Sequence, residues 1–158
     1  MKKIIFILLL LLILSPLSSF GQENRQIDKN LENIAVQYAE CAAYYGLVFN
    51  SMKASNENQT ANVYIQLEND EMFYSLLLAN EGSSKDLAIE VTKARIDIYI
   101  QKMKQETDNR NENISILINK YHFECQKLMK NPPTALIEVL KKRLVEETNK
   151  QSKSKDQP

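Results

Sequence analysis

The chain has 158 residues, with 20 Lys and Arg balanced by 20 Asp and Glu, a single His and no Trp. Charges of both signs are interleaved along every segment, so no basic stripe marks a nucleic-acid binder. Breakers are scarce, with 3 Gly and 4 Pro, and no useful stretch alternates apolar and polar residues, so long helices are expected and a sheet protein is not.

Lys2 and Lys3 precede an apolar run over residues 4–14, which Ser15-Pro16 breaks before small residues ending at Gly21. This order reads as a secretory signal over residues 1–21, cleaved before Gln22. An uncleaved membrane anchor is the rival reading, but the run has 11 residues where a bilayer span takes roughly 20. The expectation is export to a bacterial periplasm or exterior, with no stable membrane anchor after cleavage. The 137 residues that follow carry 18 basic and 20 acidic side chains, enough chain for one helical domain over residues 22–150. Residues 151–158 have nothing to bury and are expected to be a disordered polar tail.

The first helix is marked by Ile27, Leu31, Ile34, Tyr38, Cys41, Tyr45, Val48 and Met52, spaced alternately four and three apart. That stripe keeps one face against a neighbour at a shallow crossing angle. Ala35, Ala39, Ala42 and Ala43 flank it and permit close approach, and Ser55-Asn56-Glu57-Asn58 ends the helix near Ala54. A second helix is expected from residue 59 or 60 to residue 80, with Val63, Leu67, Tyr74 and Leu78 inward and Ile65, Met72, Phe73 and Leu76 widening that face. Gly82 stands where a left-handed residue closes a helix, and Ser83 with Asp86 resembles the next helix start.

A third helix over residues 84–105 offers Leu87, Val91, Ala94 and Ile98 as its inner stripe; the alternative for residues 96–100 is a short strand. Asn109 and Glu112 form a possible capping pair for a fourth helix, whose stripe is Ile114, Ile118, Tyr121, Cys125 and Leu128. Asn131-Pro132-Pro133 ends it. A shorter fifth helix over residues 133–149 uses Leu136, Val139, Leu140 and Leu144. The fold class is therefore all-α, an antiparallel bundle of four long helices plus a shorter C-terminal one.

Cys41 and Cys125 are the only cysteines, and both fall on inner stripes. Export favours their pairing as an inter-helix disulfide, the other reading being two buried thiols. His122 shares its helix face with Ile118, Asn119, Cys125 and Gln126 rather than with a ligand set. Glu68 and Glu71, one turn apart beside Asp70, form the densest carboxylate group and are expected to make a solvated acidic patch. Seven Tyr are many for this chain; because Tyr44 and Tyr45 cannot share one narrow stripe, Tyr44 is expected at a core edge or against a partner. Tyr44, Glu68, Glu71 and His122 are thus candidate interaction-surface residues. No catalytic residue, metal site or cofactor is expected. The function expected is non-catalytic binding of another protein, with a periplasmic inhibitor or immunity protein and a small-ligand or metal carrier as alternatives.

Overall fold

The computed structural model describes residues 28–155, so the expected signal segment over residues 1–21, the expected stripe residue Ile27 and the last three residues of the tail lie outside the described residues. Five helices follow in order: α1 (Lys29–Ala54), α2 (Asn58–Glu81), α3 (Lys85–Glu106), α4 (Ile114–Lys130) and α5 (Thr134–Lys155), with a 3-10 turn (Asn111–Asn113) before α4. There is no strand among the described residues, so residues 96–100 are helical.

α1 is the central element, packed against α2, α3 and α4. Its heptad stripe is inward as the spacing requires, with Ile34, Tyr38, Cys41, Tyr45 and Val48 buried and the flanking Ala35, Ala39, Ala42 and Ala43 buried beside them. Contacts fix the helix directions. Ser75 Oγ donates to Ala35 O at 2.8 Å while Glu68 lies over Gly46, so α2 runs antiparallel to α1. Arg95 pairs with Glu32, and Lys102 with Glu40 at 3.4 Å, so α3 runs parallel to α1. Cys41 is bonded to Cys125 (Cα–Cα 5.4 Å), and Tyr44 meets His122, which makes α4 antiparallel again.

The core has two parts. Cys41, Tyr44, Tyr45, Val48, Met103, Leu117, Tyr121 and Cys125 form one around the disulfide. Ile34, Ala35, Tyr38 and Leu78 form the other, closed by Leu136 and Val139 of α5. Polar contacts tie the periphery: Glu106 accepts from Lys120 Nζ at 2.8 Å and from the Tyr121 hydroxyl at 3.0 Å, joining α3 to α4. Glu81 accepts from Lys142 at 2.6 Å and from Arg143 at 2.9 Å, joining α2 to α5.

Several local expectations are corrected. Gly82 has φ −106°, not a left-handed conformation; the left-handed residues are Asn56, Asp108 and Asn109, short polar side chains that tolerate it in turns. The α3 cap is Ser84, whose Oγ accepts from Leu87 N at 3.4 Å, one residue later than Ser83. No side-chain cap starts α4, and the 3-10 turn replaces the Asn109 and Glu112 pair. α5 has 22 residues against 17 for α4, so the C-terminal helix is not the short one. It runs through residues 151–155, part of the expected disordered tail, because no breaker precedes Pro158. Leu144, assigned to the core by its spacing, is 64% exposed, since α5 has left the bundle by that point.

On the two helices that flank α1 the apolar spacing gives the inner face only in part: Leu67, Tyr74 and Leu78 of the expected α2 stripe do pack inward. On α2 the stripe toward α1 is Ala61, Tyr64, Glu68, Glu71, Ser75 and Leu78, alternately three and four residues apart, and Glu71 and Ser75 are fully buried. Val63 and Phe73 are 55% and 53% exposed instead. On α3, Ala88, Thr92 and Met103 are buried, while Leu87 and Ile98 of the expected stripe face out. Part of the α1 surface accounts for the polar inner positions: Ala35 and Gly46 admit Ser75 and Glu68 of α2 at close range, while the bulkier Tyr64 and Leu78 pack on Tyr45 and on the Ile34 cluster.

Candidate functional site

Three features of this bundle bear on function: the polar stripe of α2 inside the core, a cleft between α2 and α4 holding His122, and an apolar groove between α2 and α3.

Glu68 and Glu71 do not form a solvated patch. Glu71 is wholly buried, and neither carboxylate oxygen has a hydrogen-bond partner. Burial first, and the Asp70 charge second, push its carboxyl up to about 9, so it is a neutral acid at pH 7. The Tyr38 hydroxyl, on the facing helix, is also buried without a partner. Burial raises Tyr38 and Tyr45 above the ordinary tyrosine range, with the Glu71 charge adding to both. Glu68 is half-buried, its carboxyl also raised by burial, and it occupies the space that a side chain at Gly46 would take: a Cβ there would stand 2.8 Å from Glu68 Oε1. As an interaction surface, Glu71 is ruled out by its burial.

Tyr44 is likewise no surface residue. With neighbours on three sides, α1 buries an arc wide enough for adjacent Tyr44 and Tyr45, whose ring centroids lie 4.8 Å apart. Tyr44 also lies 6.1 Å from Tyr121, and Tyr45 lies 6.0 Å from Tyr64, so four tyrosines form one aromatic group. The Tyr44 hydroxyl meets His122 Nδ1 at 3.3 Å. His122 is half-buried and lines a cleft of about 480 Å³, whose other side is α2 through Thr60, Val63, Tyr64 and Leu67. The structure thus joins Tyr44 to His122, but Glu68 and Glu71 belong to the α1 and α2 contact.

The third feature escaped the sequence reading. Six of the eleven exposed large apolar side chains among the described residues are Val63, Met72, Phe73, Leu87, Ile89 and Ile98, all on α2 and α3. Met72, Phe73 and Leu76 of α2 with Ile89 and Ile96 of α3 wall a groove of about 430 Å³. Thr92 lies on its floor, with a buried hydroxyl that has no partner. Exposed Asp70, Glu90 and Asp97 stand next in sequence to groove residues, with Lys93 as the cation in the lining. The signal that could have found this face was the register conflict on α2, where the Ala61 to Leu78 heptad is polar and its opposite face is apolar.

No group of three or more His, Cys, Asp or Glu side chains is placed to hold a metal among the described residues. None of the described helices is long and apolar enough to cross a membrane. The Cys41 to Cys125 bond fits an oxidising compartment. No protein-family model, curated protein or solved structure matches this chain.

Proposed function

We propose that this is an exported, non-catalytic binding protein of the bacterial envelope or exterior that docks another protein on the outer face of α2 and α3. The reading rests on one observation, the apolar outer face of those helices, which leaves Met72, Phe73 and Ile89 in water around a preformed groove. Contiguous exposed apolar surface on a folded domain marks an interaction site, whereas isolated exposed apolar residues need no explanation. Its apolar walls suit an amphipathic helix of the partner, and the exposed Asp70, Glu90 and Asp97 on the same two helices, outnumbering Lys93, suit basic flanks on it. Inhibition of a toxin or wall-degrading enzyme is the specific form of this role that suits a small exported domain; a toxin-like gene beside this one supports it, and an isolated gene counts against it.

The test is affinity capture from envelope extract with wild type, Phe73→Asp and Phe123→Asp. Phe123 is 70% exposed on α4, away from the groove, and serves as control. A protein captured by wild type and Phe123→Asp but lost with Phe73→Asp, and carrying a basic amphipathic helix, supports the reading. Undiminished capture by Phe73→Asp contradicts it, as does turnover by the purified protein that is lost on changing His122.

A further inference from the structure

The cleft between α2 and α4 carries a directional chemistry of its own, independent of the α2 and α3 face. His122 is the only hydrogen-bond partner of the Tyr44 hydroxyl among the described residues. A buried phenol needs an acceptor for its proton, and Nδ1 is the atom within reach. Burial also holds Tyr44 in its neutral, donating form. Tyr44 therefore donates to Nδ1, which fixes the imidazole proton on Nε2. In that tautomer Nε2–H is a donor, and it is the ring nitrogen left for the cleft that His122 lines.

The remaining walls agree with that polarity. Gln59 and Thr60 lie in the first turn of α2, whose N-cap residue Glu57 makes no side-chain cap bond. The N–H groups of residues 58–60 bond no backbone carbonyl, whereas Ala61 N–H already reaches Glu57 O at 2.9 Å. These groups point along the α2 axis past its start, so they add a field favourable to negative charge near Gln59 and Thr60 but no donor to the lateral cleft. None of the lining residues is acidic, and the nearby Glu68 carboxyl is occupied over Gly46. On the same α2 face, one to two turns further along, Val63, Leu67 and the Tyr64 ring supply an apolar wall facing His122, and Val63 is more than half exposed. The cleft is an open depression of about 480 Å³ that can seat the body of a small ligand without enclosing it.

We propose that the α2 and α4 cleft binds a small monocarboxylate with an apolar or aromatic body, its carboxylate accepting from His122 Nε2–H and its body lying on Val63, Tyr64 and Leu67. Apolar contact gives the ligand its seat, and the His122 donor with the field of the α2 start selects an acid over its neutral analogue.

NMR titration of the disulfide-bonded protein tests this with phenylacetate as probe and 2-phenylethanol as its uncharged counterpart. Imidazole nitrogen spectra of the free protein should show a proton on Nε2 and an unprotonated, hydrogen-bonded Nδ1. Phenylacetate should give saturable shifts confined to residues 58–67 and 122–126, with 2-phenylethanol binding about tenfold weaker or worse. His122→Phe should weaken phenylacetate by a similar factor. Because that change also removes the Tyr44 partner, Gln126→Glu is the second variant: it adds a like charge to the cleft without touching Tyr44, and should weaken phenylacetate about tenfold. Saturable shifts that are absent from the cleft, equal binding of acid and alcohol, a proton on Nδ1, or a Gln126→Glu protein that binds as wild type would each overturn the proposal.

Discussion

Replacing Glu71 by Gln should make this protein more stable, by an amount that depends on pH. Glu71 is buried with both oxygens unpartnered and its carboxyl raised from the ordinary 4.5 to about 9. The folded state thus retains a proton that the unfolded chain releases above pH 4.5. The unfolded state binds fewer protons across that interval, so stability falls as pH rises, by about 1.4 kcal/mol per pH unit, and levels off above about pH 9. The loss reaches about 3 kcal/mol by pH 7. Gln has nearly the same shape and no such proton to hold, so Glu71→Gln should match wild type to within about 1 kcal/mol at pH 4 and exceed it by up to about 3 kcal/mol at pH 7. Urea unfolding followed by circular dichroism at several pH values measures the difference, and groups that titrate equally in both proteins cancel. A difference that stays constant from pH 4 to pH 9 would refute the reasoning, because it would mean that the carboxyl ionises in the folded state as easily as in the unfolded one.

Other outcomes follow from the same contacts. Reducing the Cys41 to Cys125 bond, which closes a separation of 84 residues, should cost up to about 4.5 kcal/mol by chain entropy, read as a drop in urea midpoint on adding reductant. Gly46→Ala should change stability by less than about 1 kcal/mol, because better helix propensity offsets displacement of the Glu68 carboxyl; in a Glu68→Ala background the same change should stabilise by about 1 kcal/mol. Burial works to raise the Glu81 carboxyl, but the bonds from Lys142 and Arg143 outweigh it and hold it below the ordinary value. Its contribution is therefore present at neutral pH and lost as pH falls through the folded value, and Glu81→Gln should cost about 1–2 kcal/mol at pH 7 and less in acid, measured by the same unfolding series.

The sequence was most legible where apolar spacing and burial coincide. α1 and α4 carry bulky apolar groups on their inner stripes, and there the heptads located Cys41, Tyr45, Tyr121 and Cys125 before any coordinates. On α2 and α3 the same rule held only in part, with Leu67, Tyr74 and Leu78 inward but Val63, Leu87 and Ile98 outward. Counting apolar residues assumes that the larger ones go inside, but opposite Ala35 and Gly46 the α1 surface takes Ser75 and Glu68. Glu71, Ser75 and Thr92 therefore take inner positions, and Phe73, Ile89 and Ile98 the outer ones. Tyr44 was misplaced for a related reason, since a helix with neighbours on three sides buries consecutive residues that a single seam cannot. The link between His122 and Tyr44 spans 78 residues of sequence, and helix spacing alone carries no information on which residues of two helices meet.

The α2 and α3 face decides the account most directly. A photo-crosslinking residue placed at Phe73 in the full chain should yield one predominant adduct in intact cells, and the same probe at Phe123 should not. Adducts of the same kind and yield from both positions, or none from Phe73, would contradict a docking role for that face.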